Sequence, residues 1–369
     1  MTIGVLGAGQ LGRMLALAGF PLGLDFLFLD PVTPASAARV ARQLVGSFTD
    51  QRLLEELARS SDVLTFDWEN IPIEALRELA LGGAEVPVCP PLAALEAAQD
   101  RVLEKRLFEK LDIPTTRWAA VDSWLDLKRA VETIRLPGVL KTRTMGYDGK
   151  GQAVVKSSED LERAWSAMQS APLLYEELVD YDCEVSIIGA RSRSGEVTIY
   201  PLNGNVHAEG ILRLTRAPFG PERWWRTAGQ YLERVLAHFH YTGVLTIELF
   251  VRGGRLIANE MAPRVHNSGH WTIEGAVTSQ FENHLRAILD LPLGESRAVG
   301  HCAMINLIGE LPPLKTILAH PGAHLHVYEK APRPGRKVGH CTLVARTARE
   351  RDARAQRLLR EVAPGVSIP

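Results

Sequence analysis

The sequence predicts an α/β protein that begins with a doubly wound parallel sheet. Apolar runs at residues 2–6, 26–29 and 63–66 alternate with helical patterns, and the first run leads into a glycine-rich turn at residues 7–12. Strands that alternate with helices form parallel sheets with crossover helices on their faces. The 369 residues, 46% of them hydrophobic, exceed what one hydrophobic core usually supports and favour two or three packed units.

Polar residues follow the carboxyl ends of these strands. Asp30 follows the second strand, and residues 67–70 follow the third. Ligands of open α/β sheets bind at the carboxyl ends of the strands, so residues 7–12, Asp30 and residues 67–70 are expected to share one crevice and one ligand. The glycine pattern, with Asp30 about 20 residues after it, also matches the dinucleotide-binding fingerprint. A nicotinamide or flavin enzyme, and a tight turn without a ligand, are the alternatives.

Charge and cysteine content limit the classes of partner. The formal net charge is -1 and basic blocks are absent, which argues against nucleic acid or an acidic membrane surface and favours small molecules. Four cysteines without paired spacing predict free thiols in the reducing cytoplasm. No apolar run approaches the roughly 18 residues of a membrane span, so neither secretion nor membrane insertion is expected.

Two glutamates lie in a predicted hairpin of strands 246–251 and 256–261. An odd-numbered turn centred on Gly254 would place Glu248 directly opposite Glu260, where two like charges destabilise a sheet unless something compensates them. Mg²⁺ is a natural compensation because it binds one or two carboxylates and completes its shell with water and phosphates. The alternative is a solvated hairpin with two surface acids, since an even-numbered loop would break this register.

The segment that follows this hairpin is rich in groups that bind anions. Residues 261–272 include Arg264, His266, Asn267, Ser268 and His270. An arginine can pair bidentately with a carboxylate or phosphate. The alternative is a polar loop that makes its own turn hydrogen bonds. Its position beside the glutamate pair favours an anion site.

A second nucleotide-binding pattern begins after the proline-marked break at residues 86–91. The predicted strand 138–141 leads into a glycine-rich loop at residues 142–152 that carries Arg143 and Lys150 and follows Lys141. Glycines let backbone N–H groups turn toward oxyanions, so this loop is expected to be a flexible phosphate lid, or else a plain hairpin turn. Residues 173–179 are predicted as an edge strand whose backbone pairs with an adenine ring.

Taken in order, these features resemble the ATP-grasp superfamily. Four motifs, at residues 9–14, 146–152, 262–270 and 333–340, resemble the 5-(carboxyamino)imidazole ribonucleotide synthetase family, the ATPase subunits of phosphoribosylaminoimidazole carboxylase. The resemblance covers nearly the whole chain. It implies an ATP-grasp fold with an N-terminal pre-ATP-grasp domain and a small C-terminal domain. The implied boundaries are 1–98, 99–295 with a mobile lid at about 115–178, and 296–369.

The resemblance also implies a reaction. This is the ATP- and bicarbonate-dependent carboxylation of 5-aminoimidazole ribonucleotide (AIR) through carboxyphosphate, a ligase step of de novo purine biosynthesis that forms a C–N bond. The implied cofactors are ATP and Mg²⁺, or Mn²⁺ in its place, and the implied state is a cytoplasmic homodimer without nucleic-acid or membrane partners. Two alternatives stay open. One is another ATP-grasp carboxylate-amine ligase, and the other is a dinucleotide-dependent oxidoreductase.

Site residues follow from the same resemblance, position by position. The implied catalytic residues are Arg264, His266, Lys141 and Asp148, and the implied metal ligands are Glu248 and Glu260. Those implied for ATP are Arg101, Lys141, Gly146, Tyr147, Asp148, Gly149, Lys150, Gly151, Gln152, Glu176, Glu177, Leu178, Val179, Glu184, His207, Asn259 and Glu260. Those implied for the ribonucleotide are Gln10, Leu11, Glu69, Tyr147, Lys150, Asn267, Lys330 and Arg336, the last two at its 5′-phosphate.

Two positions depart from the pattern of this family. Asp67 stands where a longer glutamate is expected, which could alter the fit of the acceptor. Cys183 stands beside Glu184, where a small residue or glycine is usual, and this change is expected to be tolerated.

Overall fold

The computed structural model describes residues 1–83, 85–146, 151–169, 171–366 and 368. Its first sheet is parallel and four-stranded, in the order β3-β2-β1-β4, which confirms the doubly wound prediction. Buried apolar runs form β1, β2 and β4, and polar residues follow β2 and β4, as the sequence pattern indicated. Strand β3, in which only Leu44 is buried, was not predicted. The strands are β1 (Thr2–Leu6), β2 (Asp25–Asp30), β3 (Arg42–Val45) and β4 (Val63–Phe66). The helices of this region are α1 (Gln10–Gly19), α2 (Gln51–Arg59), α3 (Ile73–Leu81) and α4 (Leu92–Gln99).

A second, smaller sheet is antiparallel, in the order β5-β8-β6-β7. Serine hydroxyls at positions 123 and 157 accept hydrogen bonds from backbone N–H groups and begin the two helices that cover the sheet. Its strands are β5 (Trp118–Val121), β6 (Gly138–Thr142), β7 (Gln152–Val155) and β8 (Leu173–Glu177). The helices of this part of the chain are α5 (Arg101–Lys110), α6 (Trp124–Ile134) and α7 (Ser158–Met168).

The third sheet has nine strands and continues through the C-terminal part of the chain. Its order is β14-β13-β9-β11-β12-β15-β17-β16, with β10 paired to β9. The strands are β9 (Cys183–Arg191), β10 (Val197–Ile199), β11 (Asn203–Ala208), β12 (Ile211–Ala217), β13 (Gly243–Arg252), β14 (Arg255–Ala262), β15 (His301–Ile308), β16 (Ala323–Val327) and β17 (Lys337–Ala345). The helices are α8 (Glu222–His238), α9 (Thr272–Gly275), α10 (Gln280–Ile288), α11 (Leu314–Leu318) and α12 (Ala348–Val362).

One buried hydrophobic cluster joins the first sheet to the third sheet. Val5 of β1, Phe281 of α10, Met304 of β15 and Tyr328 belong to the same buried cluster. The C-terminal strands β15 and β17 therefore extend the third sheet, and they also pack against α12 in a second buried cluster. The predicted domain boundaries stay predictions. All four cysteines are free thiols, as expected.

Two local predictions were wrong. The strand predicted at residues 173–179 as an edge strand is interior, because β8 pairs with β5 on one side and β6 on the other. Its backbone groups are already used by the sheet. The hairpin of β13 and β14 has an even-numbered turn of two glycines, Gly253 and Gly254, rather than an odd-numbered one. Within the described residues, no helix is long and apolar enough to cross a membrane.

Candidate active site

A cleft of about 930 Å³ is lined by residues from all three sheets. Most of the predicted site residues lie on its walls. These are Gln10, Leu11, Glu69, Arg101, Lys141, Gly146, Gln152, Glu176, Glu177, Leu178, Val179, Glu184, His207, Glu248, Asn259, Glu260, Arg264, His266, Asn267 and Lys330. Among the described residues, the predicted Gly151 and Arg336 do not line it. Tyr147, Asp148, Gly149 and Lys150 lie outside the described residues.

A β-bulge places the two glutamates opposite each other. Gly253 and Gly254 have φ values of +56° and +76°, the left-handed conformations that two-residue hairpin turns need. Continued without change, this register would pair Glu248 with Asn259. The ladder instead shifts between Glu248 and Leu249, so that Glu248 faces Glu260. The predicted opposition is confirmed, although the expected turn length was wrong.

One face of α5 holds this bulge. Arg101, Glu104 and Lys105 stand at helical spacing i, i+3 and i+4, which puts their side chains on one side of the helix. Their partners are consecutive residues of β14. Arg101 Nη1 lies 3.1 Å from Glu260 Oε2, Glu104 Oε1 accepts from the Met261 amide at 2.6 Å, and Lys105 Nζ donates to the Asn259 carbonyl at 3.1 Å.

Burial and neighbouring acids raise the pKa of two carboxyl groups at the acidic pair. Burial raises the pKa of Glu248 to about 7, with Glu260 adding to the rise and His207 opposing it. Burial likewise raises the pKa of Glu104 to about 8, with a further contribution from Glu260. His207 itself pairs with Glu184, which raises the pKa of the histidine in spite of burial. These carboxylates favour a cation between them.

The donor set fits a divalent cation that also binds phosphate. Glu248 and Glu260 provide two opposed carboxylates, and the buried Oδ1 of Asn259 has no hydrogen-bond partner among the residues that the structure describes. In the described part of the chain, no group of three or more histidine, cysteine or acidic side chains could hold a metal alone. Mg²⁺ needs no such group, because one or two carboxylates together with substrate phosphates complete its shell.

A neutral histidine borders the acidic pair. Burial, reinforced by the nearby Arg264, lowers the pKa of His266 well below its usual value. Its Nδ1 accepts from the Ser268 amide at 3.3 Å. The ring proton is therefore on Nε2, which lies 3.2 Å from Glu248 Oε1 and can donate to it. His266 orients Glu248 by a hydrogen bond rather than by charge.

Lys141 and Glu176 form a buried ion pair at the second sheet, β5-β8-β6-β7, which lies within the predicted lid at residues 115–178 and is called the lid sheet below. Glu176 also accepts from Lys105 Nζ at 3.1 Å and from the Thr116 hydroxyl at 2.7 Å. Burial alone would raise the pKa of Glu176, but Lys141 and then Lys105 lower it below the usual range. The carboxylate is therefore ionised and shared between two lysines.

The two ends of the predicted phosphate loop border the cleft. Gly146 and Gln152 flank the predicted phosphate loop. Arg143, expected to offer free charge to phosphates, instead pairs with Asp100 at 2.6 Å. Beyond the end of β8, Leu178 and Val179 line the cleft, and the Leu178 amide donates to the Pro137 carbonyl at 3.3 Å. The adenine contact predicted for residues 176–179 stays a prediction.

The anion segment and the crevice of the first sheet meet across the cleft. Arg264 Nε lies 2.5 Å from Glu69 Oε2, and both groups are largely buried. Burial alone would raise the pKa of Glu69, but Arg264 lowers it. Asn267 exchanges two side-chain hydrogen bonds with Asn306 of β15, at 2.7 and 3.0 Å. Glu69 of the crevice and Arg264 and Asn267 of the anion segment thus line the same cleft.

The N–H groups of the glycine turn already donate hydrogen bonds to side chains of this protein. Asp67 Oδ2 accepts from the amides of Gly9, at 2.7 Å, and Gly12, at 3.1 Å, and Asp30 Oδ2 accepts from Ala8 at 2.7 Å. A dinucleotide site needs such groups for the pyrophosphate, so this arrangement disfavours the oxidoreductase alternative. Asp67, one of the two departures, is thereby the residue that fixes the turn.

Basic residues from the C-terminal part reach the same crevice. Lys330 hydrogen-bonds to the Gln10 side-chain carbonyl and is largely buried, which lowers its pKa. Lys337 lines the cleft, whereas Arg336 donates to the Ala331 carbonyl at 3.1 Å. Of the two residues predicted to return to the site, Lys330 lines the cleft and Arg336 does not.

Sequence reasoning missed Lys105, Glu104 and Lys337. A lysine and a glutamate in an amphipathic helix are usually solvated, yet Lys105 and Glu104 are only 2% exposed. The available signal was their i, i+3, i+4 spacing from Arg101. Lys337 lies in the motif at residues 333–340, one position beyond the predicted Arg336.

Comparison with known proteins extends these observations. The chain matches the ribonucleotide synthetase preATP-grasp domain over residues 1–99, the ATP-grasp domain over 106–281 and the phosphoribosylaminoimidazole carboxylase C-terminal domain over 302–354. It is 50% identical over 343 residues to N5-carboxyaminoimidazole ribonucleotide synthase of Pseudomonas aeruginosa, covering 93% of this chain and 94% of that one.

Solved structures agree with this similarity. N5-carboxyaminoimidazole ribonucleotide synthetase from Thermus thermophilus matches with a TM-score of 0.94 and 47% identity, covering 100% of both chains. The Aspergillus clavatus N5-carboxyaminoimidazole synthase, in complex with ADP and 5-aminoimidazole ribonucleotide, matches with a TM-score of 0.90 and 32% identity over 98% of each chain. The predicted ATP-grasp fold is confirmed.

Proposed function

Because the chain belongs to the N5-carboxyaminoimidazole ribonucleotide synthase family of ATP-dependent ligases in purine biosynthesis, we propose that its cleft joins bicarbonate to AIR through carboxyphosphate. One observation carries the proposal. The opposed Glu248 and Glu260, proposed to hold the metal ion of ATP, line the same cleft as Arg264 and Lys330, proposed to bind the anionic groups of the other substrates.

The reaction needs two transfers. A bicarbonate oxygen attacks the γ-phosphorus of ATP, ADP leaves, and carboxyphosphate forms. The exocyclic amine of AIR then attacks the carboxyl carbon, the C–O bond to phosphate breaks, and the amine loses a proton. Both partners of the first step are anions, so the site must neutralise charge where they meet.

Glu248, Glu260 and the Oδ1 of Asn259 would hold Mg²⁺, or Mn²⁺ in its place. When bound, the ion neutralises phosphate oxygens and orients the γ-phosphoryl group. Arg101 holds Glu260 toward Glu248, and His266 holds Glu248 through its Nε2–H. These contacts fix the positions of the carboxylates before the nucleotide arrives.

Arg264 is proposed to bind bicarbonate and then carboxyphosphate. Its Nε is occupied by Glu69 and its Nη1 by the Val265 carbonyl at 3.0 Å, which orients the guanidinium plane. A fixed guanidinium can pair with a planar oxyanion by two parallel hydrogen bonds. His266 remains neutral beside it and supplies no positive charge. Asp148, which the family resemblance implies as a catalytic residue, is included in this proposal.

The remaining proposed contacts divide between the two substrates. Those for the nucleotide are Lys141, residues 146–152, residues 176–179, Glu184 and His207. Carboxyphosphate hydrolyses readily, so closure of the loop at residues 146–152 would exclude water until the amine attacks. Those for AIR are Gln10, Leu11, Glu69, Tyr147, Lys150 and Asn267, with Lys330 and Arg336 at the 5′-phosphate.

We also propose that the protein works as a cytoplasmic homodimer. Family resemblance supports this, as does a group of exposed apolar side chains at the end of α1, Leu17, Phe20 and Leu22, which are 44%, 43% and 38% exposed. Light scattering in solution measures the mass directly. A monomer at all concentrations would contradict the proposal.

Isotope transfer tests the carboxyphosphate intermediate. Bicarbonate labelled with ¹⁸O is supplied with ATP, Mg²⁺ and AIR, and the released phosphate is examined by mass spectrometry. Carboxyphosphate predicts one ¹⁸O atom in each phosphate, because the attacking oxygen stays on phosphorus. Unlabelled phosphate formed together with carboxylated product would contradict the intermediate.

A further inference from the structure

Lys105 is a buried cation that the proposed reaction does not use directly. It is 2% exposed and lies on the face of α5 that contacts β14. Its ammonium is 3.0 Å from the hydroxyls of Thr115 and Thr116 and 3.1 Å from the Asn259 carbonyl. A lysine is almost never buried unless it is paired. Its charged partner is Glu176, at 3.1 Å.

Glu176 therefore has two lysines as counterions. Lys141 pairs with Oε1, while Lys105 and the Thr116 hydroxyl contact Oε2. The two lysines differ in access. Lys141 lines the cleft, whereas Lys105 does not. One counterion can thus reach a ligand and the other cannot.

The same ammonium connects two sheets. Glu176 is in β8 of the lid sheet, and Asn259 is in β14, at the bulge that turns Glu260 toward Glu248. The Thr115 hydroxyl, which Lys105 contacts, also donates to the Ala258 carbonyl at 2.9 Å. Lys105 thereby fixes the position of the lid strand relative to the proposed metal ligands.

We propose that Lys105 is a positioning residue whose ammonium stays on Glu176 and on the Asn259 carbonyl, leaving Lys141 free to move to the nucleotide phosphates. The inference rests on the proposed function, in which Lys141 binds ATP. Breaking a buried ion pair by removing one partner leaves an uncompensated charge and is strongly unfavourable. With Lys105 in place, Glu176 keeps a counterion when Lys141 leaves. Without Lys105, Lys141 is held at Glu176.

Two substitutions of Lys105 separate its charge from its hydrogen bonds. Lys105→Met keeps the chain length without donors, and Lys105→Gln keeps an amide donor without charge. Both are expected to raise the KM for ATP at least about tenfold, the size of one charge-assisted hydrogen bond, and to leave the KM for AIR unchanged. Lys110→Gln, at an exposed position near the end of the same helix, is the matched control. A wild-type KM for ATP in Lys105→Gln overturns the proposal.

A second substitution at Glu176 provides the rescue. In Lys105→Met/Glu176→Gln, the buried carboxylate that holds Lys141 is gone, so the KM for ATP should fall at least severalfold below that of Lys105→Met. Equal KM values in the single and double variants would overturn the proposal. This pair of variants is decisive because a merely structural loss would deepen, not recover, in the double variant. Where Lys105→Met does not fold, Lys105→Gln and its double variant with Glu176→Gln give the same comparison.

The wild-type enzyme in the same assay separates this inference from the proposed function. Release of ADP by the wild type that AIR does not stimulate would count against the proposed function. AIR-stimulated release by the wild type, with ATP saturation unchanged in the Lys105 variants, would count against Lys105 alone.

Discussion

Glu260 takes part in two contacts, one through its side chain and one through its backbone. Its side chain accepts from Arg101, 3.1 Å away, and its backbone position opposes Glu248 across the ladder. Replacing the carboxylate by an amide keeps an acceptor for Arg101 but removes the negative charge that a cation requires. The substitution therefore tests chemistry with little change in packing.

Glu260→Gln is expected to lower Mg²⁺-dependent ADP release at least about a hundredfold, as loss of one electrostatic contact at a reacting phosphate commonly does. The unfolding midpoint should stay close to that of the wild type. Glu233→Gln, on the exposed face of α8, is the control for a lost surface carboxylate. Normal turnover by Glu260→Gln would remove Glu260 from the metal site.

Lys330 tests the other end of the cleft. Its ammonium donates a hydrogen bond to the side chain of Gln10, which lies 320 residues earlier in the sequence, at the crevice of the first sheet. Lys330→Ala should raise the KM for AIR about tenfold or more, the size of a lost charge-assisted hydrogen bond, with ATP saturation unchanged. Lys315→Ala, at an exposed position in α11, is the control. A selective loss of ATP affinity instead would contradict the assignment of Lys330 to the ribonucleotide phosphate.

The glycine turn at residues 7–12 shapes the crevice of the first sheet. Gly7 has φ +98°, and a Cβ there would lie 1.8 Å from Asp67 Oδ1. Gly23 also has positive φ, at +70°, but a Cβ there meets nothing within 4 Å. An alanine would have a strained backbone at both positions, but its Cβ would collide with a neighbouring residue only at position 7.

Gly7→Ala should therefore reduce the free energy of unfolding more than Gly23→Ala does. Left-handed strain costs about 1–3 kcal/mol at either position, and the collision with Asp67 adds to it only at Gly7. Urea denaturation of both variants measures the difference. Equal losses would mean that Asp67 moves aside freely and does not fix the turn.

Elements with a strong local pattern were predictable from the sequence, and contacts between elements largely were not. Apolar runs located β1, β2 and β4, because their burial follows from residue type alone. The bulge at Asn259 has no local signature, so the opposed glutamates were predicted from a turn length that was wrong. Lys105 was missed because a helical lysine is normally solvated, and only the tertiary fold places it beside Glu176.

Within the whole molecule, His284 connects the first sheet to the central one. Its Nε2 lies 2.8 Å from the Thr65 hydroxyl of β4, and its Nδ1 accepts from the Val244 amide of β13 at 3.1 Å. Burial lowers its pKa from 6.5 to about 4. The unfolded chain therefore binds a proton at a higher pH than the folded chain does.

This difference predicts an acid sensitivity. The contribution of His284 to stability is complete above pH 6.5 and is lost as pH falls toward 4, by at most about 3 kcal/mol. His284→Gln removes this titration, so its free energy of unfolding should fall less steeply between pH 6.5 and 4 than that of the wild type. The exposed His324→Gln is the control. Parallel curves for the wild type and His284→Gln would contradict the buried neutral state.

The central claim for the whole molecule is that one cleft couples ATP cleavage to carboxylation of AIR. Mg²⁺-dependent ADP release by the purified protein, with bicarbonate present and with or without AIR, tests it most directly. We expect AIR to stimulate the release of ADP strongly, because its amine captures the carboxyl group of carboxyphosphate. Release of ADP that AIR leaves unchanged, in a protein that still binds ATP, would contradict the claim and indicate a different amine acceptor.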